Sequence, residues 1–186
     1  MIKCTTFFVI LLFSAILKAE VTYLQLQQIT DAKMSLKGEF SQQKYLAELE
    51  VNLASFGNFE YQKGEKIIWR TLKPIANEMV MTPSNIVNSQ NNQEIVRIES
   101  TNNPAVALMS EIFFSVLTAQ WQKLSRYFQL EGEINGKYWQ VELLPLDDNI
   151  KKAVSLIELK GSNLLHSIVL HEKDGDKTTI LFEYNQ

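Results

Sequence analysis

Two histidines, one cysteine and one pair of adjacent aspartates are the residues of this chain that could carry chemistry, and their spacing decides whether they do. His166 and His171 stand five residues apart in a stretch that reads as a strand, so they point to opposite faces and cannot grip one metal ion together. Asp147 and Asp148 follow Pro145 in a polar segment where turn formation accounts for them. No G-x-S-x-G, H-E-x-x-H, P-loop or dinucleotide fingerprint occurs, so a catalytic site would have to be assembled from scattered residues. The chain is expected not to be an enzyme, to use no cofactor and to hold no metal.

Cys4 drops out for a different reason. Residues 1–18 carry one early positive charge at Lys3, then an uncharged apolar run from Phe7 to Leu17, then Lys18, Ala19 and Glu20. That order is the charged region, apolar region and small-residue boundary of a secretory signal, and the run is short for a bilayer span. Residues 1–19 are therefore expected to be a signal peptide cut after Ala19, leaving residues 20–186 as one exported domain without a thiol. Cleavage takes the basic count from 18 to 16 against 21 acidic residues, a net charge of about −5. Nothing basic is clustered enough to track phosphates, and nucleic acid is not an expected partner.

What the chain has in excess is large apolar side chains. Phe56, Phe59, Tyr61, Trp69, Met79, Met81, Leu108, Met109, Ile112 and Phe113 are many for one curved sheet and a short helix, and methionine adapts to chains of irregular shape. They fit either a well-filled barrel or a lipid cavity between sheet and helix, and composition does not separate the two.

The elements that would position them follow from periodicity. Phe40, Gln42 and Lys44 share one face of an extended segment, and Leu53, Ser55, Gly57, Phe59 and Tyr61 share a face of the next. Gly57 and Gly64 fall where such a sheet must bend or turn. Strands are predicted over 66–72, 76–81, a very short one at Ile86 and Val87, and 94–99, with the polar run 84–93 short enough to be a loop. After position 127 the chain is almost wholly strand. Asn135 and Gly136 mark a hairpin; Trp139, Val141 and Leu143 share a face, as do Ile180, Phe182 and Tyr184. Helices are predicted over 21–33, packing by Leu26 and Ile29, and from Asn103 and Pro104 through Val116 and Leu117. About ten strands and two helices result, more strands than an open twisted sheet holds without curling.

Leu36, Phe40 and Gln42 after an amino-terminal helix, then Gly57, Phe59, Lys63, Ile67, Trp69, Lys73 and Pro74, and the Pro104 helix with the hairpin through Tyr138 to Pro145, resemble the LolA family of periplasmic lipoprotein carriers. The resemblance spans nearly the whole mature chain. It implies a mainly β fold, an incomplete antiparallel β-barrel with helices forming a lid over an apolar cleft. It also implies a periplasmic carrier, monomeric, that shields acyl chains of lipoproteins or a related lipid between an inner-membrane donor and an outer-membrane acceptor. The cleft would be lined by Phe59, Trp69, Met79, Met81, Met109, Ile112 and Phe113. Lys63 and Gly64 stand where the family has Arg-Pro, so Lys63 is the expected lid latch, looser because an ammonium lacks the planar fork of a guanidinium. The family's additional tail after the last strand is missing, which favours a paralogue dedicated to a glycolipid or pigment-like lipid. The same resemblance leaves room for a lipid-sensing regulatory or structural module of the envelope.

Overall fold

Alternation with a period of two becomes one sheet of eleven antiparallel strands in the computed structural model, which describes residues 21–99 and 112–185. In chain order these are β1 (Ser35–Leu46), β2 (Val51–Gln62), β3 (Lys66–Lys73), β4 (Asn77–Met81), β5 (Asn85–Gln90), β6 (Gln93–Glu99), β7 (Phe128–Asn135), β8 (Tyr138–Pro145), β9 (Val154–Gly161), β10 (Leu165–Glu172) and β11 (Lys177–Tyr184). The spatial order is β6-β5-β4-β3-β2-β1-β11-β10-β9-β8-β7, so the sheet is two meanders joined where β1 meets β11. Its outer edges, β6 and β7, do not pair with each other: the barrel is incomplete.

Register fixes which side chains line the inner face. Tyr184, Gly38, Phe59, Trp69 and Met79 form one row across five strands, and Leu36, Tyr61, Ile67, Met81 and Ile86 form another. Residues paired directly across an antiparallel ladder share a face, so both rows are contiguous apolar strips. The outer face is polar where it is most crowded: Arg70 sits between Glu60 at 2.9 Å and Glu78 at 2.6 Å.

Short helices cover the inner face. The first, α1 (Tyr23–Ile29), is narrower than the periodicity over 21–33 predicts, and its caps explain the difference. Thr22 is extended and closes a capping box: the Gln25 N–H donates to Thr22 Oγ1 at 3.2 Å and the Thr22 N–H donates to Gln25 Oε1 at 2.8 Å. At the other end Thr30 leaves helical geometry, and the Asp31 N–H donates to the Asn163 carbonyl at 2.8 Å, drawing the chain away to the β9–β10 loop. Leu26 is fully buried and Ile29 packs against the core, as predicted. Of the helix expected from Pro104, residues 112–117 are helical and its start lies outside the described residues.

Two local expectations are corrected, and a third element is new. The polar run 84–93 is mostly strand: β5 and β6 form a hairpin whose two loop residues, Asn91 and Asn92, have φ of 52° and 61°. Asparagine tolerates the left-handed region that such a turn needs, and the polar side chains are acceptable at a solvated sheet edge. Asp147 caps a one-turn helix, Asp148–Lys151, by accepting from the N–H groups of Asn149 and Ile150, so the segment after Pro145 is more than a turn. The third is a 3-10 helix, Trp121–Arg126, which periodicity did not reveal.

Candidate functional site

The floor of the site is built on two glycines. Gly57 pairs with Phe40 and Gly38 pairs with Phe59, and each ring lies over its glycine partner. A Cβ on Gly57 would stand 1.9 Å from the Arg70 carbonyl oxygen and 2.7 Å from the Phe40 ring; one on Gly38 would stand 2.9 Å from the Phe59 ring. The absence of side chains there lets Phe40 stack on Trp69 at 3.8 Å, while Phe59 meets Phe182 edge-on at 5.4 Å and Tyr184 at 5.7 Å. Tyr61, Ile67 and Met81 extend this aromatic floor, all of them buried.

The roof is α1, residues 112–119 and the 3-10 helix. Tryptophans pin it: the Trp121 indole N–H donates to Thr30 Oγ1 at 2.8 Å, and its ring meets Trp139 edge-on at 5.3 Å. The Trp139 N–H in turn donates to the Ser162 carbonyl at 2.6 Å, and the Tyr23 hydroxyl donates to the Phe128 carbonyl at 2.9 Å. Burial raises the hydroxyl pKa values of Tyr23 and Tyr184, and the Tyr184 hydroxyl donates to the Leu165 carbonyl. Between roof and floor, Phe114 contacts Tyr61 at 6.4 Å. Three hydroxyls there, on Tyr61, Ser115 and Thr118, are buried without a hydrogen-bond partner among the described residues. An unpaired buried hydroxyl costs about 1–3 kcal/mol, and burial pushes the Tyr61 pKa up to about 12.

Four of the expected lining residues come together on the floor: Phe59, Trp69 and Met79 in one row and Met81 in the next. Ile112 is buried in the roof, Phe113 is half-buried against the same core, and Met109 lies outside the described residues. Lys63 is exposed at the β2–β3 turn, where its backbone N–H donates to the Met34 carbonyl at 2.9 Å; its ammonium makes no ion pair with a described residue. Phe40, Phe182, Tyr184 and Trp121 belong to the site although the apolar excess alone did not single them out. The signal that finds Phe40 is its pairing with Gly57 once β1 and β2 are aligned.

Among the described residues a pocket opens between the Thr30–Asp31 segment, Val116, Leu117, Trp121 and Tyr184, with room for about one water molecule, and none of the seven expected lining residues borders it.

Chemistry of other kinds finds little footing among the described residues. His166 Nε2 is 3.2 Å from Ser162 Oγ and His171 Nε2 is 2.6 Å from Glu158 Oε1, so each histidine has its own partner and the two do not meet. Glu172, Asp174 and Asp176 lie close together, with the Lys44 ammonium already on Glu172 at 3.0 Å and on Asp176 at 3.3 Å. No helix of the described residues is long and apolar enough to cross a membrane.

An open antiparallel half-barrel with an aromatic floor and a roof of short helices is the architecture of a lipid- or lipoprotein-binding carrier fold. The chain belongs to the LolA family: the model of the outer membrane lipoprotein carrier protein LolA matches residues 32–186. Among solved structures it is similar to MucB, with a TM-score of 0.50 and 14% identity over 88% of this chain and 57% of that one. A LolA superfamily protein from Nitrosomonas europaea aligns with a TM-score of 0.46 and 10% identity, over 88% of this chain and 92% of that one. The Pseudomonas aeruginosa MucA/MucB complex aligns at 0.48 and 13%, over 88% and 55%. At these identities the likeness is one of fold. No curated protein matches the sequence.

Proposed function

We propose that this chain is an envelope carrier that shields the acyl chains of a lipoprotein, or of a related lipid, during transfer from the inner to the outer membrane. Residues 1–19 act as the signal peptide and residues 20–186 as the carrier, working as a monomer in the periplasm between an inner-membrane donor and an outer-membrane acceptor. The observation that carries this reading is the pair of contiguous apolar rows on the inner face, roofed by separate short helices rather than by a second sheet.

The energetics suit exchange rather than free diffusion. An anchor of on the order of 30 to 45 methylenes would lose roughly 24 to 36 kcal/mol of burial in water. That exceeds the ceiling of about 18 to 21 kcal/mol for non-covalent affinity, so cargo passes from membrane to cleft to acceptor without standing in water. Loading requires the roof to lift from Phe59, Trp69, Met79 and Met81, with Ile112 and Phe113 moving with it, and Met109 is proposed to line the cleft alongside them. Unloading is assisted when those side chains regain the floor. Lys63, exposed at the β2–β3 turn, acts as a loose latch. Ester carbonyls of the cargo would accept from the unpaired hydroxyls of Tyr61, Ser115 and Thr118.

Because all three tryptophans are already buried, emission wavelength is a poor reporter, and quenching by brominated acyl chains is the sharper test. A brominated diacyl lipopeptide is expected to quench the wild-type protein and to quench Trp69→Phe much less. Unchanged emission, with no lipid extracted from protein purified without detergent, would refute the carrier.

A second reading is a lipid-sensing regulatory or structural module of the envelope that docks on a protein. It is distinguished by a stable protein partner together with no cargo moved in a two-membrane transfer assay.

A further inference from the structure

Three stretches of sheet edge are free among the described residues, and two of them are guarded. β6 carries Glu94, Arg97 and Glu99, and β7 carries Glu131 and Glu133. Charge on an edge discourages the pairing that its unpaired N–H and C=O groups invite. The third is inside the sheet. β3 ends at Lys73, opposite Phe56, while β2 begins at Val51, so residues Val51 to Ser55 pair with β1 on one side and with no described strand on the other. From Val51 to Gly57 there is no charge and no proline. Val51, Leu53 and Phe56 are 40%, 54% and 51% exposed, and Leu72 and Ile75 beside the gap are 57% and 66% exposed.

The segment is rigidly held for a free edge. The β1–β2 ladder runs unbroken from Ser35 with Gln62 to Leu46 with Val51. Its tip is tied to the β10–β11 turn by the Ala47 N–H, which donates to Asp176 Oδ1 at 2.9 Å, and by the Lys44 ion pairs with Glu172 and Asp176. Leu53 lies on the inner face, in line with Ser55, Gly57 and Phe59, so the gap opens beside the floor of the proposed cleft.

We propose that Val51 to Ser55 is a docking edge for an extended stretch of polypeptide, added as a short strand in line with β3, and that the polypeptide is the part of the cargo next to its acyl anchor. This rests on the carrier reading. Self-pairing of two copies would join only five residues of each chain, far short of the ~800 Å² per partner that a stable interface buries. The same few backbone hydrogen bonds are too weak to capture a free peptide but suffice for one tethered by lipid in the adjacent cleft, because tethering makes the second contact intramolecular. A neutral, extended peptide linked to acyl chains is the occupant that this edge and this cleft can hold together.

The test compares three probes on the full mature protein: a diacyl lipopeptide with eight uncharged residues, the same lipopeptide with alternate backbone amides N-methylated, and the diacyl lipid without peptide. The first is expected to bind about tenfold more tightly than the other two. Ala54→Lys, exposed and on the face opposite the cleft, is expected to erase that advantage while leaving the affinity for the peptide-free lipid within twofold. Hydrogen exchange at 51–55 should slow with the first probe alone. Equal affinity for all three probes would overturn the docking edge while leaving the carrier reading standing. Failure of every probe to bind would remove the carrier reading and the docking edge with it. A concentration-dependent dimer abolished by Ala54→Lys would assign the edge to a second copy and overturn the proposal.

Discussion

A single missing methyl group sets the depth of the floor. Gly57→Val would drive a branched side chain into the Arg70 carbonyl and the Phe40 ring, and neither the ladder nor the Phe40–Trp69 stack can move aside. It is expected to lower stability by on the order of 3 kcal/mol, read as a reduced urea midpoint with unchanged slope. Tyr61→Phe acts in the opposite direction, because it removes a buried hydroxyl that has no partner. It should stabilise the protein by about 1 kcal/mol and weaken the binding of an ester-linked lipid, measured by thermal unfolding and titration of the same sample. The tyrosine also predicts an alkaline response. Its folded pKa, pushed up to about 12, lies above the unfolded value near 10, so its share of stability is intact below pH 10 and is lost as pH rises toward 12. Stability measured across that window should fall less steeply in Tyr61→Phe. Alternation groups Phe59 with Tyr61 and Trp69 with Ile67 on shared faces, but over 66–72 both faces carry apolar residues, so alternation alone does not say which one turns inward. Nor was the reach of Phe40 over Gly57 legible, since it depends on the register of two strands and not on either one.

Elements were readable where pattern and chemistry agreed. The twelve-residue strands β1 and β2 announce themselves by alternation and by glycine at the bend. The amino-terminal helix was legible as a helix but not in its length, because its end is set by Asn163, more than a hundred residues away, through the Asp31 N–H. Its start is local, and therefore testable locally: Thr22→Ala opens the capping box and should cost about 1 kcal/mol of stability, detectable as a lower thermal midpoint. The β5–β6 hairpin was hidden by its own polarity. Serine, asparagine and glutamine in 84–93 have low strand preference, and only pairing with β4 makes them a strand. The Trp121–Arg126 turn escaped for the converse reason: two apolar residues, Trp121 and Leu124, among polar ones are too few to report a period, yet the indole ties this turn to the end of α1.

At the scale of the whole molecule, roof and floor are held unequally. The floor is one continuous ladder system across eleven strands, whereas the roof rests on apolar packing and a few indole and hydroxyl hydrogen bonds. Packing of that kind can part and re-form without breaking a sheet, as the proposed carrier role requires. The half-barrel itself was foreseeable from strand count, since so many strands in one sheet must curl. How far the interior fills was not foreseeable, because volume is a property of side chains brought together from both meanders.

The seam between β1 and β11 has a consequence for how such a molecule comes into being. Gly38 meets Tyr184 and Tyr45 meets Lys177, so the strand that begins the sheet waits for a partner from the far end of the chain. Until that partner arrives the two meanders are separate, each with a bare margin along the junction. Contacts so distant in sequence are slow to close and leave sticky margins uncovered meanwhile. Assembly of this protein is therefore a race between stitching its two halves and misjoining with a neighbour, in which anything that keeps chains apart until the seam closes raises the yield.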